Sequence, residues 1–457
     1  MAHLWTLDQL KSTLDNHPQV KGWIVNEETI QRRERYFLAE KGGALVIDQD
    51  REVEVNNLSA RLFVKLDDAS RQGEVSKKFF YSLPLAPQLD SAIAAGLQTS
   101  HQAWPLPTAA TELPSVQSAD PAIVEDLEGS VSRLTQDIAT AVATPRDARF
   151  DSAELFLSIH RLTKHLSNGL IHRSLSTRIY VEAAYSCSKQ LADGSVFSDE
   201  YLDTRWSVRL ADVDVAGLFE QAANHARYAV EVSKTEAGRY PVIIHADVLA
   251  TLFHDQISQL SGSNAYHQLP FVAVGDALIK STEGDLISLA LDPQQPFGAD
   301  TVAISGQGVP QALLPLVEQN RVVATAADQQ FAHYLNLPAP TTVRGTVTVA
   351  GGRHSYASLT KAAPQVLEIL QFSGLFTDAN SGTFGSEIRL ARLHDNINGT
   401  VRYLKGGSLG GAVQENFKGL KLSDVCVRHS HFDGNNPVGQ AYFGPECALL
   451  TEVSVAA

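Results

Sequence analysis

Methionine is almost missing from this chain of 457 residues: Met1 is the only one. No thioether is therefore available inside the fold, which excludes copper(I) chemistry based on soft Met ligands. Cysteine is scarce as well. Cys187, Cys426 and Cys447 are too few and too scattered for a disulfide framework or a four-cysteine zinc site, and an odd number of lone thiols suits a reducing cytosol. An excess of positive charge is absent. Lys and Arg number 37 against 51 Asp and Glu, a formal net charge of −14, whereas general nucleic-acid binding needs a basic face that releases counterions. No uninterrupted apolar run reaches about 18 residues, so no membrane span is expected. The first residues, Met1 to Asp8, lack a basic segment followed by an apolar core, so no signal peptide is expected.

What is present is ordinary globular usage, with 44% hydrophobic and 19% charged residues, which excludes a wholly disordered chain. The length suggests two or three domains. The expectation is an acidic, multidomain cytoplasmic protein.

Alternating Val53, Val55, Leu62, Val64 and Leu66 predict strands, separated at Asn56-Asn57 and ended by Asp67-Asp68. Lys41-Gly42-Gly43 reads as a turn into a further strand. Prolines recur from Pro84 to Pro121, and so many missing donors predict a long loop or linker. Pro121 then opens a helix, with Ile123, Leu127, Val131, Leu134, Ile138 and Val142 on one stripe. Residues 153–187 alternate again around an Asn168-Gly169 hairpin turn, and a second helix is expected over about Val213–Val230. Tyr240–Ile244 reads as a buried strand, Asp247–Leu260 as a helix, and glycine-punctuated short strands follow, with one helix near Ser358–Phe372. The fold class expected is α+β: a mixed strand and helix N-terminal domain and a largely antiparallel C-terminal sheet domain. The divisions expected are 1–115 with its Pro-rich linker, 116–235 completing the N-terminal half, and 236–457.

No phosphate loop is present. Gly351-Gly352 and Gly406-Gly407-Ser408-Leu409-Gly410-Gly411 lack both the Gly-Lys-Ser/Thr ending and the strand–glycine–helix context, and read as turns. Ser408 has the letters of a nucleophile elbow, but Gly410-Gly411 is a poor helix start. Cys187 lies on an expected strand, and Cys447 follows Glu446, which disfavours a thiolate; both read as small buried apolar residues. His245 and His254 flank the 247–260 helix at a spacing of nine, two and a half turns, so they face apart. The residue after His245 is Ala246, not Glu, and four and five residues on stand Leu249 and Ala250, neither a ligand. His429 and His431 share one face if their segment is a strand. A metal pair and a surface pair beside a Gly-Asn-Asn loop both account for them.

From Pro241 through His254 the sequence resembles the TldD/PmbA family of metallopeptidases, also labelled modulators of DNA gyrase. The resemblance continues through Ser261-Gly262-Ser263-Asn264-Ala265-Tyr266, Gly306-Gln307-Gly308-Val309-Pro310, Val317 to Val322, and the tail from Phe443-Gly444-Pro445 to Val455. Gln307 stands where the family has Glu. Agreement is looser before about residue 236, through Leu166-Ser167-Asn168-Gly169. Catalytic TldD-type members carry His-Glu-x-x-x-His and a C-terminal Cys as zinc ligands; the PmbA type, also called TldE, lacks them. His245 falls on the first ligand position, Ala246 on the general base and Ala250 on the second ligand. His431, counted back from Gly444-Pro445, falls near the cysteine.

The resemblance implies a non-catalytic PmbA-type subunit with no catalytic residue and no cofactor of its own. Zinc would lie on a TldD-type catalytic partner, in a heteromer that degrades or processes unfolded or leader peptides. A second reading makes the chain a zinc peptidase in its own right, with ligands His245 and His431, His429 nearby, and Asp247 or Asp433 supplying the base. A third, action on DNA or gyrase, follows the family's older label, and the acidic balance speaks against it.

Overall fold

The computed structural model describes residues 4–40, 45–432 and 439–457. Three sheets form among them. The first is built from β1 (Val20–Ala39), β2 (Leu45–Lys65), β3 (Arg71–Phe79), β4 (His101–Gln102), β5 (Arg149–Leu166), β6 (Ile171–Gln190) and β7 (Val196–Ser207), in the order β4-β3-β2-β1-β5-β6-β7. All its neighbours are antiparallel. Helices α1 (Leu7–Asn16), α2 (Leu85–Leu97), α3 (Pro121–Glu125), α4 (Leu127–Ala143) and α5 (Val215–Ala229) accompany it. Period-two alternation sends Val25, Leu62, Leu155, Leu157, Ile179 and Val181 to one face. There they bury against Leu10 and Leu14 of α1, Leu89 and Ile93 of α2, Leu134 and Ile138 of α4, and Leu218 and Phe219 of α5.

The remaining strands are β8 (Ser233–Lys234), β9 (Gly238–His245), β10 (Leu289–Asp292), β11 (Leu314–Glu318), β12 (Arg321–Val322), β13 (Thr346–Val349), β14 (Gln365–Phe372), β15 (Phe376–Asp378), β16 (Thr383–Asp395), β17 (Thr400–Lys405), β18 (Ser408–Ala412), β19 (Lys421–Leu422), β20 (Cys426–Phe432), β21 (Gly439–Pro445) and β22 (Cys447–Ala456). A six-stranded sheet runs β12-β11-β10-β13-β21-β20, and a nine-stranded one follows the path β14-β9-β22-β18-β16-β17-β8. β16 pairs with β18 through residues 383–387 and with β14 through residues 388–395. The larger sheet therefore closes on itself as the ring β14-β9-β22-β18-β16, from which β17 and β8 continue as an arm. Helix α6 (Ala246–Gln259) buries Leu249, Leu252 and Phe253 in one core with Val242, Ile244 and Leu450 of the larger sheet and Leu289, Val347 and Tyr442 of the smaller. The fold is α+β with mainly antiparallel sheets, as expected. Parallel pairs occur at β13–β21, β14–β9 and β17–β8.

Four local expectations are corrected. The Pro-rich stretch is not all loop, since α2 runs through it. Pro84 precedes the helix and Pro87 occupies its third position, where a missing N–H breaks no intrahelical bond, and Leu89, Ala92, Ile93 and Gly96 then bury one face. Asn56-Asn57 does not separate two strands. β2 passes through it because the Asn56 side chain accepts from the Thr29 hydroxyl at 2.9 Å and that of Asn57 donates to Glu28 at 3.0 Å, both across β1. The helix opened by Pro121 is two helices, broken at Asp126, whose carboxylate accepts the Gly129 N–H at 2.8 Å and starts α4. The segment expected as a helix near Ser358–Phe372 is a short helical turn, α9 (Tyr356–Leu359, following α7 at Gly262–His267 and α8 at Gln329–Tyr334), and then strand β14. Val366, Leu367, Glu368 and Ile369 are all buried between β9 and β16, and a strand covered on both faces reads as an unbroken buried run. The Lys41–Gly43 turn lies outside the described residues.

The two halves meet at the loop carrying Gly306-Gln307-Gly308. Lys164 of β5 donates to the Ser305 carbonyl at 3.1 Å, and Ile304 and Ala303 pack with Ile24, Leu166 and Leu170. Gly308 has φ +87, and a Cβ there would come within 2.5 Å of Leu166, so only glycine fits. Gln307 is buried; its amide donates to Asp328 at 2.9 Å and its carbonyl accepts the Gln329 N–H at 2.9 Å. A glutamate here would face the Asp328 carboxylate, which accounts for the amide.

Phe253 is fully buried, with its ring centroid 5.8 Å from Phe417 and 6.5 Å from Tyr442. Phe253→Ala is expected to cost about 3–5 kcal/mol, read as a lower urea midpoint at unchanged slope.

Candidate functional site

Strand β9 ends at His245, which is also the residue before α6 begins. Its imidazole Nε2 lies 3.0 Å from Glu368 Oε1. His394 Nε2 of β16 lies 2.8 Å from the other oxygen, Glu368 Oε2. The Tyr356 hydroxyl is 2.9 Å from both oxygens, and Arg392 Nε is 3.6 Å from Oε2. The Glu368 side chain is only 2% exposed. This cluster faces away from α6, beside Ile243, Leu359, Val366 and Cys447.

The electrostatics follow from burial and pairing. Desolvation works against the Glu368 anion, but hydrogen bonds from His245 and His394 and the charge of Arg392 outweigh it and hold the carboxyl well below its ordinary range. Burial works against charged His245, and Glu368 again prevails, raising the imidazole above its ordinary value. The Tyr356 hydroxyl is pushed up by burial and by the adjacent carboxylate. Cys447 pairs directly with His245 across β22 and β9, is fully buried, and has its thiol pushed up to about 12, chiefly by burial and then by Glu446.

The expected site residues fall as follows. Ala246 and Ala250 lie in the first turns of α6, and Ala250 is buried in the core. His254, nine residues after His245, is near Asp300 and adds to the charge favouring that carboxylate. His429 and His431 do share one face of β20, and His429 is half-buried, with burial holding its imidazole below the ordinary value and Asp247 opposing that. His431 is exposed and its ring lies 6.3 Å from Trp206. The structure therefore brings His429 near Asp247 and His431, while His245 is turned to Glu368. Asp433 lies outside the described residues. Ser408 is exposed at the start of β18, between Glu387 of β16 and Ala456 of β22, without the strand–helix corner a nucleophile needs. Cys187 is half-buried on β6, its thiol donating to the Asp147 carbonyl at 3.5 Å.

The residues present do not fit a zinc ion at the family position. His245 spends Nε2 on Glu368, which raises the imidazole above its ordinary value, the two alanines offer no donor atom, and the nearby Cys447 thiol is pushed up. No group of three or more His, Cys, Asp or Glu side chains among the described residues is arranged to hold a metal. Glu368, His394, Tyr356 and Arg392 were not singled out from the sequence. Their one legible signal was a charged residue inside the apolar run Val366-Leu367-Glu368-Ile369-Leu370, which has to find partners if buried.

The C-terminal half thus joins a buried strand to a helix at His245, within mainly antiparallel sheets. A sequence profile of the PmbA/TldA metallopeptidase C-terminal domain matches residues 237–438. Residues 237–438 therefore carry a domain of the PmbA/TldA metallopeptidase C-terminal type. Its whole fold is similar to TldE from Thermococcus kodakarensis, at 15% identity over 98% of both chains with a TM-score of 0.74. It is also similar to two proteins labelled candidate modulators of DNA gyrase. The one from Thermotoga maritima shares 15% identity over 99% of this chain and 100% of that one, with a TM-score of 0.72. The one from Bacteroides thetaiotaomicron shares 14% over 98% and 97%, with a TM-score of 0.70. No curated protein matches the chain in sequence. Among the described residues no helix is long and apolar enough to cross a membrane.

The Glu368 pair fixes a sign for pH. Its contribution through His245 is complete below the imidazole's ordinary value of 6.5 and is lost as pH rises through the raised folded value. Its contribution through Glu368 is complete above 4.5 and is lost as pH falls toward the depressed value. Glu368→Ala is therefore expected to cost about 3–5 kcal/mol at a pH between those values, and distinctly less at about pH 9, where a His245 imidazole stranded without its partner is neutral. Urea unfolding of both proteins at the two pH values checks this.

Proposed function

We propose that this chain is the PmbA/TldE-like, non-catalytic subunit of a heteromeric TldD-type zinc peptidase that degrades or processes unfolded or leader peptides. One observation carries the reading: at the family's zinc position His245 is bound to Glu368, and the base and second-ligand positions are Ala246 and Ala250. The chemistry then belongs to a TldD-type partner that holds the zinc. This chain's part is to complete the cavity in which the peptide lies and to hold the peptide extended. The acidic balance, a net −14, fits a protein partner better than a nucleic acid. A cytoplasmic setting accords with lone thiols and no disulfide among the three cysteines.

Co-expression with the TldD-type protein of the same cell, followed by peptidase assays of each subunit and of the mixture, tests this. Cleavage of an unfolded peptide is expected only when both are present, with zinc following the partner. Zinc bound to the isolated chain, together with cleavage by that chain and loss of both in His245→Ala, would establish the autonomous reading instead.

A further inference from the structure

The face of the seven-stranded sheet turned away from the helices carries ordered rows of side chains. Across β1, β5, β6 and β7 one row reads Tyr36, Glu154, Glu182, Thr204, and the next reads Glu34, Phe156, Tyr180, Trp206. The rings stack into a continuous ladder. Tyr36 and Phe156 centroids lie 5.4 Å apart, Phe156 and Tyr180 5.3 Å, and Tyr180 and Trp206 4.5 Å. Trp206 then meets Phe432 at 5.4 Å, where β7 and β20 approach.

Cations from the chain itself serve the two ends of this ladder. The Arg51 guanidinium lies 5.1 Å from the Tyr36 ring, Arg32 pairs with Glu34 at 2.7 Å, and Arg178 lies 4.4 Å from the Phe432 ring. Among the described residues the middle has none. Glu154 and Glu182 stand directly opposite each other, an arrangement that is destabilising for two anions. Glu154 has no ion pair or hydrogen bond among the described residues, and Glu182 accepts only the Tyr180 hydroxyl. Burial and mutual repulsion raise the Glu154 carboxyl, and burial raises that of Glu182. Both carboxylates and the Phe156, Tyr180 and Trp206 rings are half-buried. The row beyond the ladder carries Arg32 and Arg178 across Ser158, so a cation is drawn to the glutamate side.

We infer that this bare sheet face docks an extended peptide through a lysine or arginine side chain, its stem lying along Phe156 and Tyr180 and its charge between Glu154 and Glu182. The inference rests on the peptide-processing reading above and names the side-chain class that this subunit selects. Charge complementarity decides the occupant: two facing carboxylates beside aromatic faces favour a cation that brings apolar length with it.

The test uses the full chain and two fluorescently labelled, end-blocked peptides that differ only in a central lysine or norleucine. Anisotropy titrations should show the lysine peptide binding roughly tenfold more tightly. Glu154→Gln combined with Glu182→Gln should abolish that preference and leave norleucine binding unchanged, which also shows the sheet intact. Equal affinity of the two peptides for the native chain, or a preference that survives the double substitution, overturns the inference and leaves the subunit reading standing. Failure of both peptides to bind overturns the inference and the peptide-holding part of that reading together.

Discussion

A carboxylate buried as deeply as that of Glu368 stays ionised only if donors meet it from several sides. Here four residues in three elements supply them: His245 at the end of β9, Tyr356 in α9, and Arg392 and His394 in β16. β14 is the strand that lies between β9 and β16, so one anion ties together the seam where the large sheet closes into a ring. The same contact fixes the entry to α6, because the residue it holds is the one from which the helix departs. Architecture and chemistry are thus set by one interaction. The imidazole that would offer a lone pair to a metal is instead a member of a structural network.

What was legible in the sequence is what local chemistry dictates. Period-two alternation and Asn168-Gly169 foretold the β5–β6 hairpin, and the apolar stripe foretold α5 and α6 to within a residue or two. The substitutions at Ala246 and Ala250 could be read without any structure, since they are absences of donor atoms. Illegible was whatever depended on a distant partner. Gln365–Phe372 has the apolar content of either a helix or a strand, and only its place between β9 and β16 decides for the strand. Glu368 was lost with that misassignment, and so were its partners, which lie up to 123 residues away in sequence. Asn56-Asn57 looked like a turn because the side chains that hold it extended belong to β1.

The N-terminal sheet shows how alternation separates two duties in one strand. Odd-numbered residues of β5, such as Leu155, Leu157 and Ile159, are spent on the helices, and these are fully buried aliphatics. Of the even-numbered ones, from Glu154 to Lys164, all but Leu162 are carboxylate, ring, hydroxyl, imidazole or amine. Nothing in a helix-covered core requires such a set. Their low hydrophobicity and partial exposure are compatible with stability only because the other face supplies the burial.

The ring of strands in the C-terminal half includes β22, inserted between β9 and β18, with Leu449, Leu450 and Val453 buried. The N-terminal sheet is complete once residue 207 has been made, whereas β9 waits for a neighbour encoded at the far end of the chain. At ribosomal rates that wait is on the order of tens of seconds. During it one flank of β9 is an open strand beside Val242, Ile243 and Ile244. The nascent C-terminal half is thus the part of this protein that has most need of a chaperone, and its folding is committed only once β22 has been made.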